Sequence, residues 1–217
     1  MEHKETLTLT VRVKHRPIKR IFDLFFTCAA MVFCLPLLLV IFVMIRFSSP
    51  GKAIYSHERI GRGGKPFRCY KFRTMYVDAD ERLQELLASD SRLNDEWIRT
   101  RKLKNDPRVT PIGIFLRKAS LDELPQFWNV LRGDLSVVGP RPVVYDEVVH
   151  YLGEKAPKIL SMRPGLTCIW QVSGRNDTSY VKRIQLDEHY IDNHSIILDC
   201  WLILKTIPSM IFSKGAY

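Results

Sequence analysis

The chain has 217 residues, with 33 Lys and Arg against 23 Asp and Glu and a formal net charge of +10. That length suits one domain with a special segment attached, and the charge suits polyanionic partners: nucleic acid, anionic lipid or phosphorylated substrates. Cys28, Cys34, Cys69, Cys168 and Cys200 form no CxxC pair and no Cys/His cluster, which argues against a disulfide framework and against a zinc site.

Residues 1–18 are polar and basic, with an alternating TLTLTVRV stretch, and are expected to form a loose or interfacial arm. From Leu24 to Ile45 the chain carries no charge. Roughly 22 helical residues reach about 33 Å, enough to cross a bilayer core. The run is too long for a cleaved signal peptide and has no convincing small-residue cleavage site. One spanning helix is the plain expectation, but two features oppose it. Pro36, in mid-run, removes a backbone hydrogen bond and crowds the preceding turn. Both flanks are basic, with Lys14, Arg16, Lys19 and Arg20 before the run and Arg46, Lys52, Arg59 and Arg62 after it. The positive-inside rule then holds both ends on the cytoplasmic face. Residues 19–47 are therefore expected to be a re-entrant helix broken at Pro36. Asp23 is expected to pair with Lys19 or Arg20 at headgroup level.

IYSHERI and PFRCYKFRT read as two strands joined by the Gly-rich IGRGGKP. A hairpin turn explains those glycines. A phosphate cradle is the other reading, although the pattern is not a Walker loop. Residues 78–104 read as one or two charged helices with a solvated face, and Ile112–Lys118 as another. A helix from about Pro125 to Leu131 should end on Gly133, a left-handed cap. SVVGPRP reads as a short strand running into a rigid loop, and TCIWQV as a short apolar element between loops. From Tyr180 to Phe212 two helices are expected, separated near Asn193. The last one carries a broad apolar face interrupted by Asp199 and Lys205, so it suits either a core or the bilayer interface.

In SLDELPQ, Ser120 and Glu123 match a capping box, for which Asp122 and Glu123 are ordinary first-turn acids. Pro125 opposes that reading, because proline belongs at the start of a helix and not in its second turn. If the helix begins at Pro125, the two acids precede it in its positive field, which keeps a carboxylate ionised as a nucleophile or metal ligand requires. Arg117, Arg141 in Pro-Arg-Pro, and Arg175 in Ser-Gly-Arg-Asn lie in rigid or glycine-punctuated contexts suited to phosphate. Each alone reads as an ordinary surface arginine. Together with the acids they point to phosphate chemistry beside a membrane.

KRIFD with the proline-broken apolar run, YKFRTM, LRKASLDELPQFWNVLRGDLSVVGPRP and RPGLTCIWQVSGRND occur in that order. From Lys19 to Ile207 the chain resembles the bacterial sugar transferases called monotopic phosphoglycosyl transferases, in the short form without an N-terminal multi-span domain. The resemblance implies an α+β, mainly helical fold: a re-entrant membrane helix followed by a cytosolic catalytic domain at 48–217 with interfacial helices. The implied location is the cytoplasmic face of a bacterial inner membrane. The implied reaction moves a sugar 1-phosphate from a UDP-sugar to polyprenyl phosphate, usually undecaprenyl phosphate, and releases UMP. It opens the assembly of an exopolysaccharide, capsule, O-antigen or glycoprotein glycan.

By the same resemblance Asp122 is the nucleophile, forming a phosphosugar-aspartate, and a ligand of Mg²⁺. Glu123 supports it, Arg117 holds a phosphate, Arg141 binds the diphosphate or uridine side, and Arg175 binds on the nucleotide-sugar side. Membrane lipids and a second copy of the chain are expected partners; nucleic acid is not. Many relatives have Ser-Pro at the membrane break, where this chain has Leu35-Pro36. The WQVSGRND wording favours a simple hexose, galactose or glucose. Two other functions compete: a basic membrane-tethered binding protein, which leaves the acidic pair unexplained, and a Mg²⁺-dependent phosphohydrolase using the same acids.

Overall fold

The computed structural model describes residues 10–100, 103, 106–173 and 179–211, without the side chains at 99, 100, 207 and 209–211. Helix α1 (Pro17–Ser48) opens on a proline at its first turn, where the missing N–H costs nothing. It continues through Pro36 as one helix of 32 residues, so the chain shows no interruption at the expected break. One stripe of this helix faces the rest of the protein along its whole length: Lys19, Asp23, Thr27, Ala30, Cys34, Leu38, Ile41 and Ile45 are buried or half-buried. The spacing of three and four residues is that of a single helical face. On the opposite face Ile21, Phe25, Val32, Val43 and Phe47 are exposed, Phe47 at 89%.

Both ends of α1 are fixed to one domain. Strand β1 (Ile54–Ile60) pairs antiparallel with β2 (Pro66–Phe72) in the register Ile54 to Phe72. Gly63 and Gly64 take positive φ in the connection, so IGRGGKP is a turn, as its glycines demand. On β2, Phe72 packs with Ala53, Leu116 and the C-terminal residues Ile41 and Ile45 of α1. Two peripheral helices follow, α2 (Ala79–Ser89) and α3 (Ser91–Thr100). Helix α4 (Pro111–Lys118) is capped by Thr110, whose side chain accepts from the Gly113 N–H. Gly113 lets this first turn touch the chain after β2: a Cβ there would lie 2.1 Å from the Thr74 carbonyl oxygen.

The larger core surrounds α5 (Gln126–Arg132) and a two-stranded parallel sheet of β3 (Ser136–Val138) and β4 (Gly165–Thr167). Between the strands lie α6 (Tyr145–Glu147), a wide turn at Val148–Leu152 and α7 (Ala156–Ile159), a segment whose periodicity is too short to be legible in sequence. A short α8 (Ile169–Val172) follows β4, then α9 (Tyr180–Asn193) and α10 (Ile196–Ile211), which part where expected. Val130, Leu135, Val138, Tyr190, Ile191 and Leu202 are the closed centre of this core.

Asp23 takes one of its two expected partners and is buried in the protein, 1% exposed. It pairs with Lys19 at 2.5 Å and accepts from Ser136 Oγ at 2.8 Å and from the Val137 N–H at 3.2 Å. Lys19 also reaches Asp199 of α10 at 3.1 Å, and Asp199 accepts from the Tyr190 hydroxyl at 2.7 Å. The apolar strand and helices around these charges exclude water, so each requires its partner; removing one would cost about 3–5 kcal/mol. Arg20, the other expected partner of Asp23, instead donates to the carbonyls of Val130 and Leu131 and closes the C-terminus of α5. Helix α10 takes the core role on one of its faces. Asp199 and Leu202 are fully buried, while Ile197 (84%) and Leu204 (67%) face outward.

Candidate active site between the hairpin and the acidic turn

The acids of SLDELPQ form a 3₁₀ turn of their own at Leu121–Glu123, just ahead of α5. Ser120 makes no capping hydrogen bond, so the capping box is not formed. Its φ of 53° makes it the one non-glycine residue with positive φ among the described residues. Such backbone strain persists only where surrounding contacts hold it, and functional sites are common hosts. Pro125 immediately precedes the first residue of α5, as its ring requires. Gly133 ends the helix in the left-handed conformation with its N–H on the carbonyls of Asn129 and Val130.

Asn129 fixes this helix to the hairpin. Its amide accepts from the Tyr70 N–H at 3.0 Å and donates to the Arg68 carbonyl at 2.7 Å, continuing the edge of β2 in place of a third strand. The residue is wholly buried, so an apolar replacement would strand two backbone groups. The end of β2 then distributes its side chains by strand alternation. Lys71 points to the acids, Phe72 to the core under α1, and Arg73 to the carbonyls of Ser49 and Pro50. Beyond the strand, Thr74 accepts from Arg117 Nε at 2.9 Å.

Lys71 Nζ lies 2.6 Å from Glu123 Oε1 and 3.6 Å from Asp122 Oδ2. Burial works against its ammonium, but Glu123 and Asp122 outweigh that and lift its pKa. Asp122 is 9% exposed, and burial pushes its carboxyl up against the pull of Lys71 and Arg117. Lys71, Arg117 and a backbone hydrogen bond oppose its protonation. Burial also lowers the pKa of Arg117, which Asp122 counteracts. Burial and then Arg141 lower the Arg59 pKa, while Glu147, 4.0 Å away, and Glu123 raise it. The cations gathered here favour an anionic ligand.

Lys71, Arg117, Asp122, Glu123 and Arg141 line an open cavity of about 920 Å³ bounded by the hairpin, Tyr76, the acidic turn and Trp170. Asp122, Glu123, Arg117 and Arg141 all face it, so four expected site residues are brought together. Arg175 lies outside the described residues. Arg141 stands 5.1 Å and Arg183 4.5 Å from the centre of the Trp170 ring, and Arg141 Nε is buried without a hydrogen-bond partner. Behind Arg141, burial lifts the Asp187 carboxyl to about 7 despite the Arg141 N–H and charge. The Cys69 thiol is pushed up to about 11 by burial and is no nucleophile. Lys71 was absent from the expected site. Its signal in the sequence was a lone cation between Cys69 and Phe72 in a strand with a half-buried face.

No group of three His, Cys, Asp or Glu side chains is placed to hold a metal among the described residues. Two adjacent carboxylates remain, Asp122 and Glu123. That donor set suits Mg²⁺ shared with phosphates and water, which typically takes one or two carboxylates from a protein. It does not suit a fully caged structural cation.

Residues 14–213 match the bacterial sugar transferase family. An exopolysaccharide production protein ExoY of Sinorhizobium fredii is 48% identical over 206 residues, covering 93% of this chain and 91% of that protein. The undecaprenyl-phosphate galactose phosphotransferase of Salmonella typhimurium is 45% identical over 93% of this chain and 42% of its own length. The UDP-glucose:undecaprenyl-phosphate glucose-1-phosphate transferase of Escherichia coli is 35% identical over 94% of this chain and 42% of its own length. With the match extending from the arm before α1 to the end of α10, the chain belongs to the bacterial sugar transferase family.

Proposed function

We propose that the protein transfers a hexose 1-phosphate from a UDP-hexose to undecaprenyl phosphate by way of a covalent intermediate on Asp122, as an early membrane-bound step of exopolysaccharide synthesis. The observation that carries the reading is the pair of a buried Asp122 and a half-buried Glu123 set against Lys71 and Arg117 in a cavity large enough for a nucleotide sugar. The substrates are those in the names of the Salmonella and Escherichia relatives.

In the first half-reaction an Asp122 carboxylate oxygen attacks the β-phosphorus of the UDP-sugar. The new O–P bond forms as the bond from that phosphorus to the bridging oxygen breaks, and UMP leaves with the electron pair. In the second, an oxygen of undecaprenyl phosphate attacks the same phosphorus, the bond to Asp122 breaks, and the carboxylate is restored. Phosphoryl transfer depends chiefly on positioning and charge neutralisation. Lys71 holds Glu123 and favours the ionised form of Asp122 against burial. Arg117 is fixed by Thr74 beside the dyad, and Arg141 is braced on Trp170 where the diphosphate would lie. Asp122 and Glu123 would hold Mg²⁺ together with the diphosphate, and the ion would neutralise charge there.

The membrane reading is monotopic. Lys19, Asp23 and Thr27 at one end of α1 and Ile41 and Ile45 at the other pack on one domain, which supports both ends lying on one side of the bilayer. The outward faces of α1 and α10 would then rest in the cytoplasmic leaflet of the inner membrane. The test is UMP release from UDP-galactose and UDP-glucose with Mg²⁺, with and without undecaprenyl phosphate. Lipid-linked sugar phosphate and loss of UMP release in Asp122→Asn are expected. Full turnover by that variant, or free sugar phosphate formed without lipid, would refute the mechanism.

A further inference from the structure

A second cavity, of about 370 Å³, lies between α1 and α10. It is almost wholly apolar, walled by Phe26, Ala30 and Cys34 of α1, Phe127 of α5, Leu166 of β4 and Ile203 of α10. Its two threonines, Thr167 and Thr206, bond to each other at 2.7 Å, and Thr206 also donates to the Leu202 carbonyl, so neither hydroxyl needs a ligand. At one end the cavity is bounded by Ser120, Glu123 and Gln171, and the same three residues line the large polar cavity. The acidic turn is thus a wall shared by a charged chamber and a greasy one. Phe33 of α1 also lines the cavity and is 87% exposed.

We propose that this cavity binds the phosphate-proximal isoprene units of the acceptor lipid, with its phosphate passing the Ser120–Gln171 neck toward Asp122 and its remaining chain leaving past Phe33 into the bilayer. The inference rests on the polyprenyl phosphate acceptor proposed above and deepens it by giving the tail a site. Apolar chambers favour hydrocarbon in proportion to the area removed from water, and this one shares Ser120, Glu123 and Gln171 with the cavity that holds Asp122. The occupant is the acceptor and not a bulk phospholipid, because only the acceptor must present a phosphate at the shared wall. A continuous α1 acquires a purpose: its domain-facing stripe carries the small residues Ala30 and Cys34 where the cavity needs width.

The test uses the full-length protein in phospholipid nanodiscs. Cys34 lines the cavity, whereas Cys28 and Cys200 are exposed elsewhere and can be replaced by serine. Undecaprenyl phosphate is expected to slow maleimide labelling of Cys34 at least fivefold relative to nanodiscs of phospholipid alone. Labelling that is equally slow, or equally fast, with and without the acceptor would mean a phospholipid-filled or an unused cavity and would overturn the proposal. Filling the cavity with Ala30→Trp should raise KM for undecaprenyl phosphate tenfold or more. Exchange of labelled UMP into UDP-hexose, which needs no lipid, should fall less than threefold. An unchanged acceptor KM, or equal losses in both assays, would also overturn it. Absence of UMP exchange in the unaltered protein would instead defeat the covalent mechanism, so the two failures are distinguishable.

Discussion

Replacing Lys71 with methionine keeps an unbranched apolar stem but removes the ammonium beside two acids. Its nitrogen lies 3.6 Å from Asp122 Oδ2, which gives about 4.6 kcal/mol of attraction at an effective dielectric of about 20. The Lys71 side chain is 34% exposed, so solvent screening reduces that figure severely, to about 1.5–2 kcal/mol. Without Lys71, Asp122 keeps its burial and its repulsion from Glu123, both of which raise its pKa, and retains Arg117 and a backbone hydrogen bond to oppose them. The nucleophile must be ionised, so the acid limb of the rate profile should move to higher pH. On that acid limb the rate at a given pH should fall by up to about ten- to thirtyfold, the ionisation equivalent of that energy, and recover at higher pH. Lys71→Arg should restore part of the rate, since it restores the charge with a different fork geometry. The assay is UMP release from UDP-hexose at saturating acceptor from about pH 5 to 9. An acid limb that stays in place, with a rate within twofold of the unaltered protein, would refute the role given to Lys71.

Asn129→Leu should lower stability by about 2–4 kcal/mol, because the Tyr70 N–H and the Arg68 carbonyl lose their buried partner; thermal unfolding checks this, and an unchanged Tm would contradict it. Asp187 has a folded pKa of about 7, above its ordinary value of 3.8, so the folded state binds the extra proton and stability falls as pH rises between those values. Asp187→Asn should therefore gain a few kcal/mol of relative stability at about pH 8 and little at about pH 4, a divergence that paired unfolding curves would reveal. Cysteines placed at Arg16 and Lys52 should be labelled from the same side of the membrane, whereas opposite sides would restore a plain spanning helix.

The order of elements from the hairpin to α10 was legible because each segment carried its own local reason. Gly63 and Gly64 permit the turn, Thr110 caps α4, Pro125 starts α5 and Gly133 ends it. Short segments without periodicity, such as α6 and α7, gave no such signal. Asp122, Glu123, Arg117 and Arg141 could be picked out as charged residues in rigid contexts, but Lys71 could not. Its role depends on Asn129 fastening α5 to β2 from 59 positions away in sequence, a contact no local pattern encodes. The same limit applied to Asp23. Its neighbours Lys19 and Arg20 both looked like partners, yet packing assigned Lys19 to Asp23 and sent Arg20 to the end of α5.

By itself, then, the amino-acid order determined the apolar character of the first helix, the acidic turn ahead of a proline and the basic surroundings that suit phosphate. Those follow from properties each residue carries wherever it sits: hydropathy, a fixed φ, a charge. Only the tertiary structure decided that α1 lies along the domain on a single stripe and that Asp23 and Asp199 share Lys19 in the core. It also decided that one acidic turn divides a polar chamber from an apolar one. These are properties of distance between remote parts of the chain, set by which surfaces exclude water together.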